Sequence, residues 1–227
     1  MFDKLVLDNL NNIKEELKKP YIKLDNALET KFAEELRDEL LHTEIWKEQG
    51  DKTMSEKNTQ RVLDSFKYSR KGITLGESGN PEKLLQLYNY LNSSEVLEWM
   101  SYVSGRRCDY FEGSAAIFRP GDHISKHNDL FTRKTADGKI QSRALTLNYW
   151  LAKDWLPEWG GRLIWEKPYA EIMPDFNTLA LFTPSQLSQH WVEKVAENVT
   201  VPRLSITGWF MTDRTRNKHK FNLNLDY

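Results

Sequence analysis

The chain changes its hydrophobic rhythm once. Up to about residue 107, apolar residues recur at three- and four-residue spacing. Beyond residue 110 they fall into short runs separated by Gly, Pro and Asp. The first rhythm is that of amphipathic helices and the second that of strands. Residues 6–18 are amphipathic and charged, and Pro20 ends that stretch. Leu28, Phe32, Leu36, Leu40 and Leu41 keep near-helical spacing, so a long helix is expected over 25–48. Residues 50–60 are polar and read as a loop. Asn80-Pro81 is a helix start, with Asn as the N-cap and Pro in the first helical position. Leu84, Leu85, Leu87, Tyr88 and Leu91 continue that helix. Another begins at Ser93 or Ser94, and Gly105 suits its left-handed end. Strands are expected near 114–119, 143–151, 161–166, 177–183, 188–195 and 203–212. Helices first and many short strands later imply an α+β fold, with N-terminal helices packed on one sheet of an antiparallel jelly roll or sandwich. Residues 1–227 read as a single domain: a helical support region over 1–107 and a β core over 108–212.

Composition narrows the setting. A chain of 227 residues can bury a substantial core, and 12% aromatics fits a folded protein. The net charge of −1 gives no general pull toward nucleic acid or acidic membranes. One cysteine, Cys108, excludes an internal disulfide framework and suits a reducing compartment. Met1-Phe2-Asp3-Lys4 lacks an apolar signal core, and no apolar run reaches the length of a membrane span. The expectation is a cytoplasmic protein, monomer or homodimer, with no direct nucleic-acid partner and no membrane.

Chemistry enters through a widely spaced set: His127-Asn128-Asp129, His190, and Arg203 with Ser205. Residues two apart on an extended segment share a face, so His127 and Asp129 can reach one ion. A second imidazole from His190 completes two nitrogens and one carboxylate, the facial triad of non-heme Fe(II) sites, which leaves positions open for ligands. Singly, each of these residues has an ordinary explanation as a surface polar group or a satisfied histidine. The order and spacing of the set outweigh that explanation. His42, His123 and His219 have no comparable partners and read as structural or surface residues. In the run 203–210, Arg203, Ser205, Thr207 and Trp209 share one face, with Leu204, Ile206 and Phe210 on the other. A guanidinium buried on such a face needs an anion, and Ser205 can add a hydroxyl to the same carboxylate.

On these residues, the segment from about 108 to 212 resembles the Fe(II)/2-oxoglutarate-dependent prolyl hydroxylase superfamily. The matching stretches are Phe118-Arg-Pro-Gly-Asp122 with His127-Asn-Asp129, the run from Arg143 to Trp155, Gly160-Gly-Arg-Leu-Ile-Trp165, Phe176-Asn-Thr-Leu-Ala-Leu-Phe182, His190, and Arg203-Leu-Ser-Ile-Thr-Gly-Trp-Phe210. It looks most like the ribosomal-protein prolyl hydroxylases, whose last core strand runs Arg-Leu-Ser-Ile-Ser-Gly-Trp-Phe. The resemblance implies a double-stranded β-helix, cupin-like, with His127, Asp129 and His190 as iron ligands and Arg203 gripping the far carboxylate of 2-oxoglutarate. It places Thr146, Asn148 and Trp150 on an inward face, with Leu163 packing on the co-substrate. It also implies O₂ as oxidant, ascorbate as reductant, and succinate and CO₂ as co-products of C–H hydroxylation. A carboxylate at Asp129, where related halogenases have Ala or Gly, argues for hydroxylation.

Two positions depart from the pattern. The prolyl hydroxylases usually carry Tyr where Phe118 and Trp150 stand, and those hydroxyls help hold 2-oxoglutarate. Asn148 or Ser205 can replace one of the lost bonds, or the pocket is shaped for another substrate. Trp191 and Trp209 can form apolar walls, although with eight tryptophans in the chain core packing is the default for each. Arg143 reads as a surface salt bridge first and a substrate contact second. Residues 130–142 form a longer polar link than some relatives carry, read as a solvated loop before a substrate-covering lid. Three functions follow: hydroxylation of a prolyl residue in a protein such as a ribosomal protein or a translation factor; hydroxylation of a free or carrier-bound amino acid; and a non-catalytic binding module, which the intact set argues against.

Overall fold

The computed structural model describes residues 1–50 and 68–214. The expected polar loop lies, from residue 51, outside the described residues, as does His219. Five helices are α1 (Lys4–Leu7), α2 (Leu10–Glu16), α3 (Thr30–His42), α4 (Glu82–Leu91) and α5 (Ser94–Ser104). Three strands interleave with them: β1 (Ile22–Asp25), β2 (Lys47–Gly50) and β3 (Tyr68–Thr74). The core strands are β4 (Tyr110–Phe118), β5 (His123–His127), β6 (Thr132–Lys134), β7 (Ile140–Trp150), β8 (Leu163–Trp165), β9 (Ala170–Ile172), β10 (Thr178–Phe182), β11 (His190–Val192) and β12 (Arg203–Arg214). They form one curled antiparallel sheet in the order β1-β10-β7-β12-β4-β3-β5-β11-β8-β9, with β2 on β3 and β6 on β7. This is the double-stranded β-helix expected from the strand pattern and the resemblance.

The front of the chain is less helical than its spacing implies. The helix expected over 25–48 is only α3; strand β1 precedes it and strand β2 follows it. The stretch over 6–18 splits into parts of α1 and α2. Residues 22–25 pair with β10 across the register Ile22↔Leu181 to Asp25↔Thr178, so a tertiary ladder overrides the local periodicity. Strand β3 lies inside the sheet between β4 and β5, so the front contributes strands to the core as well as helices over it. The polar link over 130–142 is likewise not an open loop. Its β6 pairs with the start of β7, Thr132↔Ser142 to Lys134↔Ile140, as a hairpin.

Helix α4 begins one residue later than its sequence signal. Pro81, not Asn80, holds the cap position, with extended φ −53° and ψ 152°. The first-turn donors are met from another element: the Glu39 carboxylate at the end of α3 accepts from the backbone N–H of Lys83 at 2.8 Å and of Leu84 at 3.1 Å. Helix α5 follows its signals. Ser93 Oγ accepts from Val96 N–H at 3.3 Å, and Gly105 closes the helix at φ 64°.

Two apolar clusters lie on opposite faces of the sheet. Phe111, Leu145, Leu147, Leu204, Ile206 and Phe210 meet Leu36, Leu40, Leu84 and Met100 of the helices. Ala116, Phe118, Trp150, Leu163, Ala180 and Val192 fill the concave interior. Alternation along each strand sorts residues between these clusters. The turn leading into β5 is tied down by Asp122, buried, whose carboxylate accepts from Arg119 N–H at 2.8 Å.

Because the α4 cap is borrowed from α3, Glu39→Ala is expected to destabilise the protein by about 1–2 kcal/mol. Urea denaturation followed by circular dichroism checks this; an unchanged midpoint refutes the capping role.

Candidate active site

Strand β5 ends at His127, and its antiparallel partner β11 begins at His190, so the two Cα positions stand directly opposite one another. Their rings lie 4.3 Å apart between centroids. Asp129 follows β5 and turns inward, buried. Its Oδ1 is 3.6 Å from His127 Nε2 and its Oδ2 is 3.8 Å from His190 Nε2. One donor atom from each residue lies within 4.8 Å of the other two, the spacing of a three-ligand metal cluster.

The tautomers follow from the backbone. His127 Nδ1 lies 2.9 Å from the Ser125 carbonyl and His190 Nδ1 lies 2.8 Å from the Ser188 carbonyl. A carbonyl only accepts, so each Nδ1 carries a proton and each Nε2 is the ring nitrogen turned toward Asp129. Burial, and then His127, pushes His190 down to about 4, leaving a neutral imidazole fit for a metal at neutral pH. Burial by itself would raise Asp129, but the neighbouring His190 and His127 rings and the Arg143 guanidinium outweigh it, and the carboxyl sits below its ordinary value. Trp165 stacks on His190 at 5.5 Å and Phe182 packs edge-on at 5.0 Å, so the ring has little freedom.

Asp129 is held from β7. Thr146 Oγ1 donates to its Oδ2 at 3.2 Å. Arg143 Nη1 reaches its carbonyl at 3.2 Å and its Oδ1 at 3.4 Å. Arg143 is therefore not the surface salt bridge first expected. The cause is a bulge: β12 pairs Phe210 with Leu145 but Met211 with Arg143, so Ala144 is extra. The extra residue turns Arg143 from the helix side to the face that carries Thr146. There its guanidinium lies 3.4 Å from the Trp209 ring centroid and 5.0 Å from that of Phe131. The Trp209 indole N–H is buried and closes no hydrogen bond, though it lies near enough to Asp129 to favour the carboxylate. Trp191 stands beside Lys126, next in chain to His190 and so on the opposite face, and does not wall this cluster.

The residues expected around a carboxylate line the interior in cross-strand rows. Arg203 pairs with Phe118, and its guanidinium sits 4.5 Å from that ring centroid. Ser205 lies between Ala116 and Trp150, and Thr207 lies opposite Asn148. Leu163, buried, belongs to the same interior cluster as Phe118 and Trp150. Arg203 is 1% exposed and donates from Nε to the Gly161 carbonyl at 2.6 Å. A Cβ on Gly161 would meet the Arg203 side chain at 3.0 Å, and its φ of +65° already favours glycine. Burial, then the nearby Arg70, pushes Arg203 down to about 9. Among the described residues no carboxylate pairs with it, so a buried cation is left needing an anion.

Sequence reasoning named the three candidate ligand positions and Arg203, but missed Trp165 and Phe182 as the clamp on His190, and Arg70 with its bond to Ser114. Alternation over 177–183 could have pointed to Phe182. No local signal marks Trp165 or Arg70.

A buried His-Asp-His cluster and an anion-seeking guanidinium line the interior of a double-stranded β-helix. Residues 113–211 match the 2OG-Fe(II) oxygenase superfamily. The chain is 26% identical over 186 residues to prolyl 3-hydroxylase sudestada1 of Drosophila melanogaster, covering 72% of this chain and 33% of that protein. The chain thus spans about a third of that relative's length. A Pseudomonas putida prolyl-4-hydroxylase superposes with a TM-score of 0.65 at 18% identity, covering 88% of this chain and 97% of the other. A prolyl hydroxylase from Trichoplax adhaerens, solved with a hypoxia-inducible-factor oxygen degradation domain peptide, superposes at 0.64 with 18% identity, covering 92% and 93%.

The donor set predicts that Asp129→Ala abolishes Mn(II) binding measured by calorimetry. Thr146→Val, which removes only a partner of that carboxylate, is expected to weaken Mn(II) by about 10–100-fold. Unchanged affinity in both variants would show that the cluster holds no metal.

Proposed function

We propose that the protein is an Fe(II)- and 2-oxoglutarate-dependent dioxygenase that hydroxylates a prolyl residue in a protein. The observation that carries this reading is the pairing of a His127-Asp129-His190 cluster with a buried Arg203 that has no acidic partner among the described residues. The donor chemistry fits Fe(II): two imidazole nitrogens and one carboxylate, with their supporting bonds already made. When bound, iron with 2-oxoglutarate and O₂ supplies the oxidising power.

The chain's own residues bind and orient. His127, Asp129 and His190 would hold the metal. Thr146 and Arg143 fix the Asp129 carboxylate, so it presents one geometry and stays ionised. Arg203, with Ser205, would grip the far carboxylate of 2-oxoglutarate. Asn148, Trp150, Leu163 and Phe118 would form the walls that exclude water. Arg143 and Trp209, stacked beside Asp129, would meet the substrate. Ascorbate serves as reductant in this reading. The same reading has the protein act in the cytoplasm, as monomer or homodimer. Among the described residues no helix is long and apolar enough to cross a membrane.

A protein substrate is supported by two relatives: one is named a prolyl 3-hydroxylase and another was solved with a peptide. The Phe118 and Trp150 departures favour, as a second reading, a free or carrier-bound amino acid.

Succinate release under air, with Fe(II), ascorbate and 2-oxoglutarate, tests the reaction. Turnover should fall to background in His127→Ala and should rise when ribosomes or lysate proteins are added, with a proline-containing peptide gaining one oxygen by mass spectrometry. Stimulation by free amino acids alone would favour the small-molecule reading. No succinate and no 2-oxoglutarate binding would refute the enzyme.

A further inference from the structure

One row of the concave face is polar from end to end. Ser114 on β4, Thr207 on β12 and Asn148 on β7 stand opposite one another in register. Alternation turns all three inward, because Ala116 and Trp150, two residues along β4 and β7, belong to the interior cluster. Arg70 joins the row from β3. Its Nη2 donates to Ser114 Oγ at 3.0 Å, and its Nε donates to Gln49 Oε1 at 3.0 Å. Gly72, opposite Ala116, leaves room for that arrangement, since a Cβ there would collide with the Gln49 side chain. Two neutral groups thus fix the fork. Its Nη1 has no protein partner among the described residues and is not shut away from solvent. The Asn148 amide and the Thr207 hydroxyl likewise bond no described side chain, although Asn148 is only 7% exposed. A buried amide left in that state calls for a ligand or water.

Register places this row within the interior. The next row on one side is Glu112, Trp209 and Thr146, and Thr146 bonds the Asp129 carboxylate at 3.2 Å. On the other side, Ala116, Ser205 and Trp150 come first, and Arg203 with Phe118 follows. The polar row therefore adjoins the row that supports the metal cluster and stands two rows from Arg203. A molecule reaching from the cluster to Arg203 must cross it. In the proposed reading that molecule is 2-oxoglutarate, which carries two carboxylates. Arg203 takes the distal one. The other sits beside the keto group, at the metal end. A carboxylate has more lone pairs than one metal ion uses, and the rest need donors once water is excluded. Arg70 Nη1, the Thr207 hydroxyl and the Asn148 amide are open donors in the adjoining row, and the first brings a charge.

We propose that Arg70, with Thr207 and Asn148 beside it, binds the metal-proximal carboxylate of 2-oxoglutarate, the opposite end of that molecule from the one Arg203 grips. This rests on the reading of the interior as a 2-oxoglutarate pocket. The two arginines then read different groups. Arg203 selects a dicarboxylate, and Arg70 strengthens the binding of any 2-oxoacid.

The test is calorimetric binding of two 2-oxoacids to the Mn(II)-loaded, oxygen-free protein: 2-oxoglutarate, and 2-oxovalerate, which keeps the proximal carboxylate and lacks the distal one. Arg70→Gln is expected to weaken both by roughly tenfold or more, the loss of one charge-assisted contact. Arg203→Gln should weaken 2-oxoglutarate alone. Arg70→Lys, which keeps the charge but not the fork, should recover part of the loss. The proximal carboxylate and the keto oxygen chelate together, so the visible charge-transfer band of the oxygen-free Fe(II)–2-oxoglutarate complex should shift in Arg70→Gln and hold its position in Arg203→Gln. The ligand-free thermal midpoint and the Mn(II) affinity should stay at the parent values in Arg70→Gln. A loss confined to 2-oxoglutarate would overturn the inference by assigning Arg70 to the distal carboxylate. Parent-like binding of both acids would overturn it outright, and in either case the oxygenase reading stands. A fall in the ligand-free midpoint or in Mn(II) affinity that accounts for the loss would overturn it as a structural role. Absence of 2-oxoglutarate binding in the parent protein would overturn both readings.

Discussion

Strand β12 must be buried on both faces at once, and the rest of the molecule is arranged around that demand. Leu204, Ile206 and Phe210 are fully enclosed beneath the helices. Arg203 and Ser205, on alternate positions, are as deeply enclosed in the concave interior. Each of the apolar residues contributes about 1.5–3 kcal/mol by leaving water. That gain locks the pleat, because a slip of one residue would drive Arg203 into the helix layer and Ile206 into the pocket. The neighbours β4 and β7 inherit the same parity. Ala116, Phe118, Asn148 and Trp150 point inward, while Ala115, Leu147 and Tyr149 point to the helices.

Electrostatics then divides the interior into two ends. At one end, two imidazoles and the Asp129 carboxylate form an electron-rich cluster, supported by Thr146 and Arg143. At the other, the buried Arg203 guanidinium stands without an acid among the described residues. A ligand that bridges the ends must bring a chelating group to one and a negative charge to the other. The proposed dicarboxylate 2-oxoacid would satisfy both demands, in keeping with the match of residues 113–211 to the 2OG-Fe(II) oxygenase superfamily.

The legibility of the chain varies with the range of the forces involved. Helices α4 and α5 were readable because their spacing, Ser93 and Gly105 are local features. The strands from residue 110 onward were readable because alternation is local too. The helix expected over 25–48 is cut short at both ends: Ile22–Asp25 becomes a strand only because β10 offers it a partner far along the chain, Ile22 against Leu181 and onward, and Lys47–Gly50 only because β3 does. Arg143 was mis-set for a different reason. Strict alternation puts it with Leu145 and Leu147, and only the bulge at Ala144 reverses it. Arg70 carried no signal at all, since a lone Arg in a polar stretch is usually solvated.

The sequence by itself determined the α+β class, the donor set His127, Asp129 and His190, and the face that Arg203 shares with Ser205. These depend on residue identity and on a period of two, which the chain carries in one dimension. Only the tertiary structure decided that His127 stands opposite His190 and that Arg143 turns toward Asp129. Those depend on strand register, on one unpaired residue in a ladder, and on which distant strands meet. They arise when the sheet curls, because burial of both faces of β12 brings together segments that have no local reason to be neighbours.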